Sequence, residues 1–376
     1  MLKKITYILN FIMSFFIFPF FFIRKKITGK KIWLCGAGNG CYENNIASIH
    51  DYILNNLSLD RNEIYFVTTN RKLLADNEAF PVLIRGRLKT YALSLLADYL
   101  IFDTCNSDIA PGIHHYLSGL KVNVNHGFEG LKKLPVDYYT KIDADIHCAS
   151  SMREKNIKIL KCGAAKEKVF VTGYPRFDRI TSYQNSGVKK ILFFPTWRSW
   201  LENLSNEELS NSTYVKSICN FLCNERLKKY LSENNIFMYY KLHHKICHLN
   251  LNLSLCDNII LLKNNDDLTQ YIRESDLLIT DYSSVVWDFL YNNRKVIFYI
   301  FDIEEYILKQ GLYYDVRTSL KNYGYTPDEI INFLREKCKE DKEDSVELSS
   351  MAGEFFEYRD NKNSERVLKL ICEYKI

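Results

Sequence analysis

Apolar residues in this chain fall mostly into short, unbroken runs separated by longer segments of helical period. Runs of that length without alternation are the pattern of strands buried on both faces of a parallel sheet. They occur at Lys31–Gly36, Ile64–Val67, Val82–Ile84, Tyr99–Phe102, Val122–Val124, Ile146–Ser150 and Val169–Val171, and then at Lys190–Phe194, Phe237–Leu242, Ile259–Leu262, Leu277–Ile279 and Val296–Ile300. Helical patterns lie between them at Ile46–Leu54, Thr90–Leu96, Tyr214–Leu231 and Leu268–Glu274, with a further start at Thr326-Pro327-Asp328-Glu329. Strand and helix alternate, so the fold class is α/β. The polar stretch 201–212 reads as a loop, and the charged C-terminal residues read as helix covering the surface.

The unit Ser275–Tyr306 departs from this plain alternation. A hydroxyl-rich turn, Thr280-Asp281-Tyr282-Ser283-Ser284, stands between the strand at Leu277–Ile279 and a helix predicted over Val285–Leu290. Asp281 and Ser283 are candidate N-caps. Such a turn gathers free backbone N–H groups, the positive end of a helix and serine hydroxyls at one point, which is a phosphate site. Serines that merely cap a helix would have the same spacing, and spacing does not separate the two.

At the N-terminus the pattern changes again. Ile5–Ile23 is almost continuously apolar, with Lys3 and Lys4 before it and Arg24, Lys25, Lys26, Lys30 and Lys31 after it. The run is near the minimum for a spanning helix. Pro19, Asn10 and many Phe residues fit a shallow anchor as well. A buried helix of a soluble domain is a third possibility, disfavoured because the run is apolar on all sides. The basic cluster on the C-terminal side suits an anionic leaflet and, if the segment spans, puts the remainder in the cytoplasm. The expected organisation is a membrane segment over 1–30, a Rossmann-like acceptor domain over 31–181, a linker at Ser182–Lys190, a Rossmann-like donor domain over 190–345 and a helical segment over 346–376.

Composition narrows the class without choosing a function. The 376 residues are 47% apolar, enough for sizeable cores, and the net charge of +5 gives no electrostatic ground for a nucleic-acid partner. Eleven cysteines without a CxxC pair fit reduced thiols better than a disulfide framework or a zinc site. The glycines Gly36, Gly38 and Gly40 invite a dinucleotide reading, but the spacing is GxGxG and no acidic residue closes the strand Ile64–Val67. Polar residues at strand ends are the better candidates, because ligands of open α/β sheets bind there. His126-Gly127 follows the strand at Val122–Val124, Gly173-Tyr174-Pro175-Arg176 follows Val169–Val171, and Pro195-Thr196-Trp197-Arg198 follows Lys190–Phe194. His243-His244 ends the strand at Phe237–Leu242. Arg198 suits bidentate phosphate contact. A metal set of His243, His244 and His248 is disfavoured, since adjacent strand residues point to opposite faces.

Leu278–Ser284, Asp288-Phe289, Phe298-Tyr299 and Asp302-Ile303-Glu304-Glu305-Tyr306 together resemble the signature of the CDP-glycerol:poly(glycerophosphate) glycerophosphotransferase family, enzymes of teichoic acid and capsule synthesis. Further segments match in order from about Lys31 to about Leu334: the Trp33 strand with its glycine turn and Asn45, His126-Gly127 with Leu131-Lys132-Lys133, Gly173–Arg176, Pro195–Arg198 and the His243 strand. Departures are Asn125 where the family usually has Trp, His244 for a usual Pro, and Gln310 for a usual Arg before Gly311-Leu312-Tyr313-Tyr314-Asp315. The later Pro-Gly of the family is not recognisable around Tyr323-Gly324.

The resemblance implies two Rossmann-like domains facing each other across a cleft, the glycosyltransferase-B arrangement. It implies transfer of an alditol phosphate, glycerol phosphate first, from a CDP-activated donor to a hydroxyl of a lipid-linked saccharide at a membrane surface, with release of CMP. On that basis His126 and His243 are the expected catalytic residues, His126 as base and His243 at the leaving phosphate. His244 is the rival of His243. Arg198, Thr280, Asp281, Ser283, Ser284 and Arg176 are expected to hold phosphates, and Gly127 and Asn45 to line the cleft. No cofactor, metal-ligand set or nucleic acid is expected, and a divalent-metal requirement stays open. A CDP-ribitol transferase, a nucleotide-sugar glycosyltransferase of the same fold and a non-catalytic binding protein stay open as alternatives.

Overall fold

The computed structural model describes residues 2–113, 116–180, 187–243, 245–249, 251, 253–263, 266, 268–319, 322–339 and 353–375. The linker residues 182–186, the rival His244 and residues 346–352 of the expected C-terminal segment lie outside these. The chain forms two compact units, Met1–Phe128 with Leu134–Arg179 and Phe355–Ile376, and Glu129–Lys133 with Ile180–Glu354.

The first unit is built on seven parallel strands: β1 Lys31–Gly36, β2 Asn62–Thr68, β3 Val82–Ile84, β4 Tyr99–Phe102, β5 Leu120–Asn123, β6 Ile146–Ala149 and β7 Val169–Val171. Their order is β3-β2-β1-β4-β5-β6-β7, with Cys35 opposite Phe66 on one side and Ile101 on the other. Ile32 to Gly36 are all buried, which accounts for the absence of polar alternation in β1. The order reverses between β1 and β4, the position where open α/β sheets open a crevice at the strand C-termini. The glycines after β1 serve close packing. A Cβ on Gly36 would lie 2.9 Å from the Asp108 carbonyl oxygen, and one on Gly38 2.5 Å from Thr104 Oγ1.

The C-terminal helix Asn363–Glu373 also belongs to this unit. Both carboxylate oxygens of Asp178 accept from its first turn, from the backbone N–H of Asn363 at 2.9 Å and of Ser364 at 2.7 Å. Val367, Leu368 and Ile371 recur at helical spacing and are buried. The helix covers the first unit with its apolar face buried and its charged face exposed. Phe355 and Phe356, just before it, pack on Phe128.

The second unit holds six parallel strands: β8 Lys190–Phe194, β9 Phe237–Lys241, β10 Ile259–Leu262, β11 Leu277–Thr280, β12 Lys295–Tyr299 and β13 Tyr323–Gly324, in the order β10-β9-β8-β11-β12-β13. Ile279 stands between Phe193 and Ile297, and the order reverses between β8 and β11. The short segment Glu129–Lys133 joins this unit by backbone bonds, from Lys133 N to the Gly311 carbonyl at 3.0 Å and from Tyr313 N to the Leu131 carbonyl at 2.6 Å. The helix expected over Tyr214–Leu231 is two helices, Thr213–Leu222 and Glu225–Glu233. Asn224 divides them because its side-chain oxygen caps Arg226 N and Leu227 N. The polar stretch 201–212 carries a helix at Asn206–Asn211, started by a Ser205/Glu208 capping box.

Leu2–Thr28 is one helix, continuous through Pro19. One face rests on the first unit. Asn10 Nδ2 donates to the Gly86 carbonyl at 2.9 Å, Phe21 is buried, and Lys25 Nζ reaches the Leu96 carbonyl at 2.7 Å and Asp98 at 2.8 Å. The other face exposes Ile8, Ile12, Phe16, Phe20 and Ile27. Among the described residues this is one helix long and apolar enough to cross a membrane, by length and composition.

Candidate functional site

β11 ends at Thr280, and the hydroxyl turn begins there. Thr280 is fully buried and its Oγ1 donates to the Phe194 carbonyl at 2.5 Å, which ties the end of β11 to the end of β8. Asp281 does not cap the following helix. Its Oδ1 accepts from Thr196 N at 2.8 Å and from Tyr282 N at 2.5 Å. Ser283 Oγ accepts from Val285 N at 3.3 Å. The helix runs over Val286–Tyr291, with Val285 at its cap position and no side-chain cap, so the capping reading of Asp281 and Ser283 is corrected. Ser284 is only half-buried, and its hydroxyl makes no hydrogen bond among the described residues.

Arg198 also departs from expectation. It is 1% exposed, and its Nε and Nη2 donate to the two carboxylate oxygens of Asp302 at 2.6 and 2.8 Å. Nη1 donates to the Thr196 carbonyl at 2.6 Å and lies 2.8 Å from Asp281 Oδ2. Four aromatic rings, Tyr214, Tyr282, Phe301 and Tyr306, stand 4.9 to 5.3 Å from the guanidinium carbon. Burial opposes its charge, but Asp281 and Asp302 outweigh burial and push its pKa up. The bidentate fork predicted for a phosphate is therefore filled by Asp302, and Arg198 fixes the turn from behind. Asp302 lies 104 residues from Arg198, so no local spacing announced the pair.

His243 reaches the same region through Trp197. The two rings stack with centroids 4.7 Å apart and planes 5° off parallel. Lys245 N donates to His243 Nδ1 at 3.3 Å, which makes Nδ1 an acceptor and leaves a proton on Nε2 in the neutral ring. Trp197 in turn meets Tyr214 edge-on at 5.6 Å. His248 Nε2 faces Asn206 Oδ1 at 2.9 Å.

In the first unit the predicted residues gather beyond β5. His126 is exposed and Gly127 half-buried. Asn45 is fully buried in the first turn of the helix Asn44–Asn56, so it braces this region from inside and does not line an open surface. Its Nδ2 donates to the carbonyls of Val124 at 3.2 Å and Asn125 at 2.7 Å, and its Oδ1 accepts from Arg176 N at 3.1 Å. Arg176 is 8% exposed and donates from Nη1 to the His126 carbonyl at 3.2 Å, with its guanidinium 5.0 Å from the Phe177 ring. Asn45, His126, Gly127 and Arg176 thus form one cluster; Arg198, Asp281, Thr280, Ser283, Ser284 and His243 form another.

Two polar groups escaped the sequence reading. Asp103 and Asp108 are both buried beside the glycine turn. Asp103 accepts from Gly38 N at 2.8 Å, and Asp108 from Thr104 N at 2.8 Å and Cys105 N at 3.1 Å. Burial and the neighbouring Asp103 push Asp108 up to about 7. Glu154 and Lys158 are fully buried on the helix Met152–Cys162, 3.7 Å apart. Their spacing of four residues was the available signal, but it usually marks an exposed pair.

The model of the family described as CDP-Glycerol:Poly(glycerophosphate) glycerophosphotransferase matches residues 17–373. The chain is 26% identical over 248 residues to the minor teichoic acid biosynthesis protein GgaB of Bacillus subtilis, covering 58% of this chain and 27% of GgaB. It is 29% identical over 226 residues to a teichoic acid poly(ribitol-phosphate) polymerase of Bacillus spizizenii, covering 56% of this chain and 34% of that one. It therefore spans about a third or less of the length of these two relatives. The solved wall teichoic acid polymerase TagF has the same fold, with a TM-score of 0.70 at 20% identity over 92% of this chain and 89% of the other. A variant of TagF has been soaked with CDPG.

Proposed function

The chain belongs to the CDP-glycerol:poly(glycerophosphate) glycerophosphotransferase family, and on that premise we propose that it transfers an alditol phosphate from a CDP-alditol to an acceptor hydroxyl in teichoic acid or capsule synthesis. The two units are the halves of a glycosyltransferase-B arrangement, the first carrying acceptor chemistry and the second the donor. The observation that carries this reading is the position of the polar clusters. His126, His243 and the turn at Thr280–Ser284 each follow the C-terminal end of a parallel strand, in a chain matched by one family model over residues 17–373.

The acceptor oxygen attacks the phosphorus that bears the alditol. The bond from that phosphorus to the bridging oxygen breaks, and CMP leaves with the electron pair. His126 takes the acceptor proton, a task suited to an exposed imidazole near neutral pH. His243 donates from Nε2 to the developing charge on the leaving phosphate, its ring held by Trp197 and by Lys245 N. Ser284 and the N–H groups of the turn hold the donor phosphates, with Ser283 and Thr280 shaping the turn. Arg198, Asp281 and Asp302 keep it in place, and Arg176 fixes the His126 backbone.

The donor carries glycerol in the first instance; the likeness to a ribitol-phosphate polymerase keeps ribitol as the second reading. The acceptor is a lipid-linked saccharide, and the N-terminal helix holds the enzyme at the cytoplasmic face of the cell membrane. In this reading the helix lies along the surface, which is supported by the bonds that residues as far apart as Asn10 and Lys25 make to the rest of the first unit. The test is release of nucleotide from CDP-glycerol, CDP-ribitol and UDP-sugars in the presence of membrane lipid extract. CMP from a CDP-alditol supports the reading. UDP release from a sugar donor, with the CDP compounds untouched, overturns it.

A further inference from the structure

We propose that Asn125, braced by the hydroxyls of Tyr139 and Tyr174, is the positioning residue that aims His126; the inference rests on His126 being the base. The imidazole of His126 is exposed and makes no hydrogen bond among the described residues, so what is held is its Cα–Cβ direction, which its backbone sets. That backbone is held with unusual completeness one residue earlier. Asn125 has φ +59°, a conformation that Asn adopts at much lower cost than most side-chain-bearing residues.

Every polar atom of Asn125 has a partner. Its N–H donates to Asn123 Oδ1 at 3.1 Å, and its carbonyl accepts from Asn45 Nδ2 at 2.7 Å. Its own Oδ1 accepts from His126 N at 3.0 Å. Its Nδ2 faces the Tyr139 hydroxyl at 3.2 Å and the Tyr174 hydroxyl at 3.5 Å. Asn125 is 2% exposed, and these partners fix which end of its side-chain amide is oxygen.

Behind the two hydroxyls stands the buried ion pair. Lys158 Nζ donates to the Tyr139 hydroxyl, and Tyr174 donates to Glu154 Oε1 at 2.7 Å. Glu154 Oε2 accepts from Ser150 N at 2.6 Å. A continuous set of bonds thus runs from β6 and its following helix to the peptide N–H of His126. A buried ion pair is a poor source of net stability but a good device for holding one geometry over others. Here the geometry held is the peptide plane that sets the Cα–Cβ direction of His126.

The test uses the full chain with whichever of CDP-glycerol and CDP-ribitol it turns over. Asn125→Gly keeps the left-handed backbone and removes the amide. It is expected to lower kcat ten- to hundredfold with donor KM unchanged within twofold. Asn125→Asp keeps the acceptor for His126 N and is expected to retain more kcat than Asn125→Gly. The decisive measurement is the double variant. If Asn125 acts through His126, Asn125→Gly has no further effect in a His126→Ala background. An equal loss in both backgrounds overturns the proposal, as does wild-type kcat in Asn125→Gly. Tyr174→Phe repeats the comparison should the glycine variant not fold. The ring resonances of His126, assigned by their loss in His126→Ala, supply a readout independent of turnover: they shift in Asn125→Gly, and unmoved resonances overturn the proposal. Near-normal turnover in His126→Ala is a different failure, which removes the assigned base itself.

Discussion

The two polar centres of this protein are held in opposite ways. In the second unit the charge lies directly at the candidate turn: Arg198 sits between Asp281 and Asp302 inside a cage of aromatic rings, and the serines hang from that cluster. In the first unit the side chain next to His126 is the neutral amide of Asn125, the Arg176 guanidinium bonds only the His126 carbonyl, and the charged pair Glu154–Lys158 stands one layer further back. A phosphate-binding turn needs backbone N–H groups held rigid against a highly charged ligand, and a buried ion cluster supplies that rigidity. A base has to change its own charge during turnover.

The sharpest way to break the comparison is at His126, the proposed base. His126→Ala is expected to lose about 10²- to 10⁴-fold in kcat with an unchanged melting temperature, because the side chain is exposed and carries no packing. Turnover within tenfold of wild type, measured as CMP release, would contradict it. In the other centre the matching variant is structural. Arg198→Met leaves Asp281 and Asp302 buried without their cation and should destabilise the second unit by about 3–5 kcal/mol. Denaturant unfolding would check this, and an unchanged midpoint would show that the cluster does not hold the turn.

A smaller effect separates the two units by pH. His50 is fully buried among Tyr42, Phe66 and Phe80, and burial lowers its pKa to about 3. The folded state keeps it neutral while the unfolded chain binds a proton below about 6.5. Stability is therefore full above that pH and falls by about 1.4 kcal/mol per unit as the pH drops towards 3. His50→Phe should flatten that acid limb, as followed by urea midpoints at a series of pH values. A limb that keeps its slope would remove His50 as its source. The smallest change is Ser284→Ala, which removes a half-exposed hydroxyl. It should raise donor KM by less than tenfold, about 1 kcal/mol, without altering stability. A loss beyond a hundredfold would promote Ser284 from binding to chemistry.

The two centres also differed in how far the sequence reveals them. The turn at Thr280–Ser284 is legible because a run of hydroxyls between two apolar runs is a local signal, and β11 and β12 lie where those runs predict. Arg198 is legible as important, but its partner is not, because Asp302 meets it only through the sheet order β8-β11-β12. Around His126 even less is local. Tyr139, Tyr174 and the helix that carries Glu154 and Lys158 are separate parts of the chain, and nothing in their spacing says that they meet Asn125. Strands were read more accurately than helices for a related reason. Buried parallel strands are uniformly apolar, whereas the break at Asn224 and the start at Ser205 each depend on one side chain bonding to a nearby amide.

The last helix has a consequence for how the protein is made. Asn363–Glu373 packs in the first unit, yet a ribosome delivers it after every residue of the second. Until then the Asp178 carboxylate has no amides to bind, and the ring of Phe128 stands without Phe355 and Phe356. The unit that contains His126 thus begins before the second unit along the chain and is closed only after it.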